Sequence, residues 1–414
     1  MKIERANNNM LSLSYLNTLV FLLIAICPLQ LINCDLDIAK NMSSSSSSSS
    51  ETQNQNGKIQ IWQINSYGGI GELKLAENVI PINLKSNDVL VKIEASSVNP
   101  LDTMMTRGYG KNVLNLLRTL DTWSFGSEFP LTVGRDFSGI VVAKGSNVPD
   151  DKLLIGDEVW GVVSPEKQGC HASHIVSDKT WVTKRPKNMT YIESASVIYA
   201  GLTAWSALWF TGDLKTKVKN GKQDGMKILI LGGSGGVGSM AIQIAKAWNL
   251  RVITTCSPDA VETVEKLGAD VVVNYRADDA DEKIKNEGKY DVILDAANQG
   301  LEDVQRRGFI HKTFISLNSP LLNNTDKYGV VFGGITSLWD LVKYNMPGNN
   351  NKGWYKWGFF TPSPEGIAFL KKLVDNNQLV PIVQQVYPFK DTPKAYERVD
   401  KGHLRGKIVI DMKQ

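Results

Sequence analysis

The residues with the clearest chemical pattern follow an apolar run near the middle of the chain, Met226–Leu231. Gly233, Gly235 and Gly238 have the spacing G-x-G-x-x-G, and they precede a predicted helix, Ser239–Trp248. Between a strand and a helix, such glycines permit a tight turn, close approach of the backbone to a pyrophosphate, and close packing of helix on strand. The helix N-terminus offers free N–H donors to the anion. The pattern predicts a dinucleotide-binding site; a glycine-rich turn without a ligand is the alternative.

The next predicted strand decides which cofactor is expected. It ends at Thr255-Cys256-Ser257, where a site for NAD normally carries an acidic residue that binds the ribose 2′-hydroxyl. The small side chain of Ser257 leaves room for a 2′-phosphate, and Arg276 is close enough in sequence to supply positive charge. The sequence therefore predicts NADPH. The alternative is that Asp259, two residues past the strand, does the work of the acidic residue.

The elements that must hold this site belong to a long and nearly neutral chain. Its 414 residues suffice for two domains of about 100–200 residues each. Lys and Arg number 46 and Asp and Glu 42, a net charge of +4, which argues against a dedicated nucleic-acid binder. The apolar content of 42% supports large cores. Four scattered cysteines are too few for a disulfide scaffold or a four-Cys zinc lobe.

Two kinds of strand pattern indicate two domains. Short β-rich runs separated by turn residues favour a compact β-barrel-like domain; they are Ile59–Ile64, Asp88–Ala95, Phe137–Ala143 and Asp157–Val163. Nearly continuous apolar strands that alternate with helices favour a parallel sheet covered on both faces; they are Met226–Leu231, Arg251–Thr255, Val271–Asn274 and Tyr290–Asp295. The expected fold class is α/β, a Rossmann doubly wound parallel sheet plus a β-barrel domain.

The first 57 residues differ from the rest. Two basic residues precede the apolar run Leu19–Ile26, which is far shorter than the ~20 residues that span a bilayer as a helix. A short positive segment before a short apolar core is the pattern of a secretory signal peptide. The serine run Ser43–Ser50 and the polar residues after it favour a disordered linker. We expect residues 1–57 to be a removable targeting segment and linker; the alternative is translation from Met10 or Met42.

Seven short motifs carry a resemblance to a known family. They are Asn99-Pro-Leu-Asp102, Gly134–Gly139, Gly156–Gly161, Gly201–Trp205, Gly233–Gly238, Leu267–Asp270 and Gly402–Lys407. In this order they resemble the zinc-free quinone-reductase branch of the medium-chain dehydrogenase/reductase superfamily. The insert at 108–130 and the segment Trp357–Phe360 resemble the mitochondrial reticulon-4-interacting oxidoreductases within that branch. The resemblance covers about residues 58–414.

The family fold implies a particular domain organisation. Residues 58–195 would form a GroES-like substrate domain and residues 196–345 a Rossmann domain that binds NADPH. Residues 346–414 would return to complete the substrate domain.

The resemblance also implies roles for single residues. Expected around the pyrophosphate and ribose are Ser234, Gly236 and Val237, and around the 2′-phosphate Ser257 and Tyr275. Expected to close over the cofactor are Phe359, Phe360, His403 and Arg405. Related enzymes often have a lysine four residues past Ser257; this chain has Val261 there, which leaves Arg276 to compensate.

Three residues are candidates for the catalytic side of the site. By resemblance, Thr203 faces the nicotinamide amide, and Asn99 and Asp102 lie beside the substrate. An Asn-Pro turn and a solvated aspartate are the alternative interpretation of the last two.

The resemblance places this chain with metal-free relatives. Zinc-dependent relatives carry Cys near the position of Asn99 and His-Glu near Arg135-Asp136, and this chain has neither. Zinc polarises a substrate oxygen, whereas hydride delivery to an already activated acceptor does not need it. Cys170 and His171, with His174 nearby, are expected to be surface-strand residues and not ligands, because no fourth ligand is evident. No metal is predicted.

The expected activity is NADPH-dependent transfer of hydride to a quinone or enone. The alternatives are a non-catalytic NADPH-binding interaction protein and a 2-enoyl thioester reductase. The expected partner is the small-molecule substrate, not nucleic acid; membrane association and a homodimer are further expectations. The resemblance implies mitochondria, and the hydrophobic leader offers the secretory pathway as the alternative.

Overall fold

The computed structural model describes residues 57–81, 83–122, 128–346 and 353–413. The predicted targeting segment and linker, 1–57, lie outside the described residues except for Gly57. Residues 57–113 and 129–413 belong to one compact unit, which contains the described residues of both expected domains except 114–122 and 128. The described residues of a second unit are 114–122 and 128. It contains most of the helix Lys111–Thr122, in which the guanidinium of Arg118 donates a hydrogen bond to the Asn115 side chain.

The elements of the described chain are numbered here in chain order. The strands are β1 (Lys58–Ile64), β2 (Lys74–Val79), β3 (Asp88–Val98), β4 (Leu131–Thr132), β5 (Asp136–Lys144), β6 (Glu158–Val162), β7 (His174–Asp178), β8 (Val182–Lys184), β9 (Lys227–Leu231), β10 (Arg251–Cys256), β11 (Val271–Asn274), β12 (Tyr290–Asp295), β13 (His311–Ser316), β14 (Trp354–Trp357), β15 (Val383–Pro388) and β16 (Lys407–Asp411). The helices are α1 (Pro100–Thr106), α2 (Lys111–Thr122), α3 (Tyr191–Ser206), α4 (Leu214–Lys219), α5 (Gly236–Ala247), α6 (Val261–Lys266), α7 (Ala280–Glu287), α8 (Leu301–Arg306), α9 (Pro320–Tyr328), α10 (Val330–Asn345), α11 (Pro364–Asp375) and α12 (Thr392–Asp400).

A six-stranded parallel sheet has the strand order β11-β10-β9-β12-β13-β14. Its central strands are nearly all apolar because helices cover both faces, and Leu229, Ile253 and Ile293 are completely buried. Counted from β9, the order is 3-2-1-4-5-6, that of a dinucleotide-binding fold. The predicted Rossmann sheet is confirmed.

A second group of strands forms the β-rich domain. One sheet has the order β15-β16-β3-β5-β6-β8, with β7 also paired to β3, and a smaller sheet has the order β2-β1-β4. The C-terminal strand β16 pairs antiparallel with β3, so that Ile408 lies opposite Val98. This pairing brings the start of the last strand next to Asn99, at the beginning of α1. The expected GroES-like domain completed by the C-terminal segment agrees with this topology.

Helix α3 connects the two sheets. It runs from Tyr191 to Ser206 with Gly201 inside it, and a π-helical turn, Ala207–Thr211, follows. A Cβ at Gly201 would lie 2.9 Å from Leu370 Cδ1, so this glycine allows α11 to pack closely without breaking α3. The expected domain boundary at 195/196 falls inside this helix.

The segment 346–414 crosses between the two sheets. Its first described strand, β14, is the edge strand of the six-stranded sheet, where Phe314 lies opposite Tyr355. The chain enters the larger sheet of the β-rich domain at β15. The predicted return to the substrate domain therefore includes one strand of the Rossmann sheet.

Candidate active site

The glycine-rich turn is packed tightly against the second strand and the following helix. The amide of Gly233 donates a 2.8 Å hydrogen bond to the Thr255 carbonyl. A Cβ at Gly233 would lie 2.2 Å from Thr254 Oγ1, and a Cβ at Gly238 would lie 2.1 Å from the Gly232 carbonyl oxygen. A side chain at Gly238 would require the backbone to move, and one at Gly233 would displace the Thr254 side chain. These two glycines therefore serve the close packing that their spacing predicts.

The middle of the turn is open, in contrast to its two ends. A Cβ at Gly235 would have the Gly232 carbonyl oxygen at 3.5 Å as its nearest neighbour. Helix α5 begins at Gly236, and no side chain caps the N–H groups of its first turn, which includes Val237. Free amides beside open space suit a phosphate group. The residues of this turn therefore fit a dinucleotide cofactor.

The C-terminal segment closes one side of this turn. The amide of Gly406 donates a 2.8 Å hydrogen bond to the Ser234 carbonyl. Gly406 has a φ of +81°, and a Cβ there would lie 2.0 Å from the Ile382 carbonyl oxygen, so glycine is required. The next residue, Lys407, passes the N-terminus of α5, with Cδ 3.0 Å from where a Cβ of Gly236 would stand.

At the end of β10 the structure brings Ser257 and Arg405 together. Arg405 Nη2 donates a 2.5 Å hydrogen bond to Ser257 Oγ, and Arg405 also forms an ion pair with Asp259. The pKa of Arg405 is raised, mainly because of its hydrogen bonds to Asp259. The nearby Tyr275 raises this pKa further. The guanidinium of Arg276 lies 5.6 Å from the centre of the Tyr275 ring. Arg405 thus supplies the charge next to Ser257 that the sequence leaves to Arg276.

The expected nicotinamide side contains both aromatic rings and a helix hydroxyl. Phe360 stacks on Tyr199 with ring centres 4.2 Å apart. The carbonyl of Phe359 accepts a 2.6 Å hydrogen bond from Ser206 Oγ, which attaches this segment to α3. Thr203 is half-buried on the same helix, and its hydroxyl donates to the Tyr199 carbonyl. His403 is exposed, with a φ of +50°.

Asn99 is the centre of a buried polar network in the β-rich domain. Its Oδ1 accepts a 2.5 Å hydrogen bond from Lys407 Nζ, and its Nδ2 donates a 2.9 Å hydrogen bond to Asp136 Oδ2. The amide and the hydroxyl of Ser97 both donate to the Asp136 carboxylate at 2.5 Å. Burial raises the pKa of Asp136 and lowers that of Lys407, and their mutual attraction opposes both shifts. Asn99 therefore joins a buried cation to a buried anion.

Asp102 is not a solvated residue. It is completely buried, and one carboxylate oxygen accepts a 2.8 Å hydrogen bond from the Asn99 amide, within a capping box at the start of α1. The other carboxylate oxygen lies 3.8 Å from Nε of the equally buried Arg135. Burial raises the pKa of Asp102, and Arg135 opposes the shift. The solvated-aspartate alternative is wrong, because the capping box and the guanidinium hold this carboxylate inside the protein.

Two residues of the Cys/His cluster are also buried, against the expectation of a surface strand. Cys170 and His171 are inaccessible, and only His174 is partly exposed. His171 has Nε2 3.2 Å from the Ser97 carbonyl and Nδ1 2.9 Å from the Tyr396 hydroxyl. Burial lowers the pKa of His171 to about 4, so this ring is neutral at physiological pH. The non-local contact with α12 buries the cluster, and the sequence pattern does not show that contact.

The roles of Arg135, Asp136 and Lys407 do not follow from the sequence motifs. In the sequence, the first two differ from the residues expected of a zinc ligand set, and Lys407 ends a family motif. In the structure, Arg135 Nη1 donates hydrogen bonds to the carbonyls of Ser164 and Lys167, at 3.1 and 2.8 Å. One signal could have identified these three residues: each is ionisable and lies in a strand or turn that is otherwise apolar. Buried charges are rare without a partner.

The residues present do not form an evident metal site. Within the described ranges, no group of three or more His, Cys, Asp or Glu is arranged to hold a metal ion. The guanidinium of Arg135 already brings a positive charge to the position that is histidine in zinc-dependent relatives, by the resemblance above.

Comparison with known proteins agrees with this architecture. An alcohol dehydrogenase GroES-like domain matches residues 85–187, and a zinc-binding dehydrogenase domain matches residues 267–410. The chain belongs to the medium-chain dehydrogenase/reductase family, which confirms the resemblance and the fold class. The predicted nicotinamide cofactor agrees with relatives whose names state NAD(P)H.

Two full-length relatives are proteins named NAD(P)H oxidoreductase RTN4IP1, mitochondrial. That of Drosophila melanogaster is 42% identical over 364 residues, which cover 86% of this chain and 87% of the relative. That of Homo sapiens is 39% identical over 361 residues, which cover 85% and 88%. The solved quinone oxidoreductase from Coxiella burnetii shares the fold, with a TM-score of 0.66 and 24% identity over 86% of this chain and 100% of that one. The chain is thus an oxidoreductase of this family, and the secretory alternative gains no support.

Proposed function

We propose that this protein uses NADPH to transfer hydride to a quinone or another conjugated carbonyl, without zinc. The observation that carries the proposal is the meeting of the phosphate turn with the buried network at one short segment. Gly406 bonds to the turn at Ser234, and the next residue, Lys407, bonds to Asn99 in the substrate domain. A nucleotide on the turn would therefore lie next to residues of the β-rich domain.

The end of β10 supports NADPH over NADH. Ser257 stands where an acidic residue would otherwise bind the ribose hydroxyl, and Arg405 provides a guanidinium beside it. A guanidinium suits a phosphate because its N–H groups bind two oxygens at once. The relatives carry names that state NAD(P)H, which allows either cofactor.

Zinc independence is supported by the side chains at the expected metal position. Asn99 and Arg135 are both committed to hydrogen bonds or ion pairs within the protein. Zinc would polarise a substrate oxygen, as alcohol oxidation requires. Quinones and enones already carry an acceptor carbon activated by conjugation, so positioning of substrate and cofactor is sufficient.

The chain's own residues would bind, orient and exclude water. When bound, NADPH supplies the hydride from its nicotinamide ring. The amides of the turn around Gly235 would hold its phosphates, and Ser257 with Arg405 would hold the 2′-phosphate. Thr203 would orient the nicotinamide amide from α3. The stacked pair Tyr199 and Phe360 would keep one wall of the site apolar, which limits water near the reacting carbon.

The decisive experiment is an acceptor panel with the purified protein. NADPH absorbance would be followed with a benzoquinone, a naphthoquinone, an enone and a crotonyl thioester, and a primary alcohol would be offered with NADP⁺. We expect turnover with quinones or enones that resists chelators, and none with the alcohol. Preference for the thioester would favour the 2-enoyl reductase. NADPH binding without turnover would favour an interaction protein, and stoichiometric zinc would overturn the proposal.

Mitochondrial location is part of the proposal. Relatives from Drosophila melanogaster and Homo sapiens carry mitochondrial names. Import of the full chain into isolated mitochondria, followed by mass spectrometry of the mature N-terminus, tests it. Glycosylation at Asn188 or Asn323 would contradict it, since that modification requires the secretory pathway.

Contact with a membrane, if it occurs through the described chain, would be peripheral. None of the helices in the described ranges is long and apolar enough to cross a bilayer. Helix α10, however, exposes Phe332, Ile335 and Trp339 on one side and buries the small residues Gly333 and Ser337 on the other. An apolar face with aromatic residues is typical of helices that lie on a lipid surface.

Two exposed lysines near this face would suit an anionic lipid surface: Lys327 is in the last turn of α9 and Lys343 in the last turn of α10. Asp340 of α10 is half-buried. The carboxylate of Asp326, in α9, is bonded within the protein, because it accepts hydrogen bonds from the amides of Gly110 and Asn112. We expect Trp339→Ser to reduce co-sedimentation with anionic vesicles. The matched control is Ile310→Ser, at another exposed apolar residue. If Trp339→Ser left vesicle binding unaffected but dissociated a dimer, the face would belong to the expected homodimer instead.

A further inference from the structure

Asp259 occupies the Nε–Nη2 edge of the Arg405 guanidinium, which stands at the expected 2′-phosphate position. Arg405 Nε lies 2.9 Å from Asp259 Oδ2, and Nη2 lies 3.1 Å from Asp259 Oδ1. Ser257 Oγ also donates a 2.6 Å hydrogen bond to Asp259 Oδ1. A carboxylate in this position binds the same N–H groups that would bind two phosphate oxygens.

The position of Arg405 does not depend on Asp259 alone. Its backbone amide donates a 2.8 Å hydrogen bond to Gln384 Oε1, and the following residue, Gly406, is bonded to the phosphate turn. The guanidinium Nη1 also donates to the His403 carbonyl at 3.3 Å. The backbone therefore keeps this arginine at the end of β10 when its ionic partner changes.

The ion pair is one that a stronger anion can break. The Asp259 side chain is 62% exposed and the Arg405 side chain 31% exposed. Water screens an exposed pair, which therefore contributes little to stability. A phosphate carries up to two negative charges and more acceptor oxygens than a carboxylate, so it binds a guanidinium more strongly. Two anions on one guanidinium would repel each other.

We propose that Asp259 is a displaceable counter-ion, which pairs with Arg405 and yields it to the 2′-phosphate when NADPH binds. The inference rests on the proposed use of NADPH. Arg405 keeps the pKa of Asp259 well below its usual range, so the carboxylate is charged wherever the enzyme works. Asp259 thus lowers the affinity for NADPH but not the affinity for NADH, which has no 2′-phosphate. It is a positioning residue. The competing role is that Asp259 accepts a hydrogen bond from the ribose 2′-hydroxyl of NADH.

The test is calorimetric binding of four nucleotides to Asp259→Asn in the full chain. NADPH and adenosine 2′,5′-bisphosphate carry the 2′-phosphate; NADH and adenosine 5′-monophosphate do not. We expect the variant to bind the first two about 3–10-fold more tightly and the other two within about twofold of the unchanged protein, because only a 2′-phosphate competes with the carboxylate. The effect should vanish in an Arg405→Met background. Glu262→Gln is the matched control, since this exposed carboxylate is on the next turn and pairs with Lys266.

Other outcomes have distinct meanings. Weaker NADPH binding by Asp259→Asn would overturn the proposal, because the carboxylate would then be needed to orient Arg405 in the complex. Selective loss of NADH affinity would also overturn it and assign Asp259 to the ribose hydroxyl. If the unchanged protein bound NADPH and the variant did not bind it more tightly, only this inference would fail. If the unchanged protein bound none of the four nucleotides, the proposed function would fail with it.

Discussion

Replacement of Lys407 by methionine tests whether the buried network around Asn99 is electrostatically coupled. Methionine keeps most of the length of the side chain and removes its charge. The Nζ–Oδ1 hydrogen bond to Asn99 is then lost, and the Asp136 carboxylate is left buried without the cation that lies on the other side of the Asn99 amide. Removing one partner of a buried charge pair typically costs about 3–5 kcal/mol. We expect a loss of unfolding free energy in this range.

A double-mutant cycle separates the charge interaction from lost packing. Asp136→Asn alone leaves Lys407 without its main anion, and we expect it to cost about 2–5 kcal/mol. The double variant carries neither charge, so it should be more stable than the sum of the two losses implies. The coupling free energy should exceed about 1 kcal/mol, since groups in one network are not independent. Urea unfolding followed by fluorescence and circular dichroism measures all four proteins.

Lys401→Met is the matched control for this cycle. Lys401 is exposed just after α12, and a surface change of this kind usually alters stability by less than about 0.5 kcal/mol. If Lys407→Met were no more costly than this control, the ammonium would not be part of the network. Two single losses that simply add would likewise refute the coupling through Asn99.

Three further predictions concern the turn, the buried histidine and the nicotinamide side. Gly238→Ala should lower stability by about 1–3 kcal/mol in urea unfolding, because its Cβ would lie 2.1 Å from the Gly232 carbonyl oxygen. Gly235→Ala, with its nearest neighbour at 3.5 Å, should keep the stability and weaken NADPH binding in calorimetry; equal stability losses in both would contradict the packing argument. His171 is neutral in the fold down to about pH 4 but titrates near 6.5 when unfolded, so the unfolded state binds more protons between these values. The unfolding free energy should thus fall by up to about 3 kcal/mol from pH 7 to pH 4, and His171→Gln should show a smaller fall. Thr203→Val should leave the melting temperature nearly unchanged and lower kcat/KM about tenfold; unchanged kinetics would remove Thr203 from the site.

The phosphate turn could be predicted from the sequence because its signals are local. A strand, three glycines and a helix lie within about 20 residues, and each glycine answers a steric demand of its immediate neighbours. The parallel sheet followed from apolar strands of the same kind, such as Lys227–Leu231 and Tyr290–Asp295. Helix α3 shows the limit of local patterns. Gly201 interrupts its apolar pattern, but the space it leaves is filled by α11 and the helix continues.

The family motifs predicted which residues meet, but not how. Ser257, expected at the 2′-phosphate, and Arg405, expected to close over the cofactor, are 148 residues apart and share a hydrogen bond. The ion pair between Arg405 and Asp259 could not be predicted, since Asp259 is equally compatible with a solvated helix N-terminus. The burial of His171 likewise depends on Tyr396, which is 225 residues later.

The sequence by itself determined the class of this protein, because the dinucleotide-binding unit is built from neighbours along the chain. Only the tertiary structure decided the charge state and contacts of Asn99, Asp136 and Lys407. Lys407 reaches Asn99 across 308 residues, through the pairing of the last strand with β3. Burial and partner charges set the energy of such groups, and both depend on where the ends of the chain meet. A residue type can suggest a role, but its surroundings determine whether it binds substrate, holds a cation or stabilises the fold.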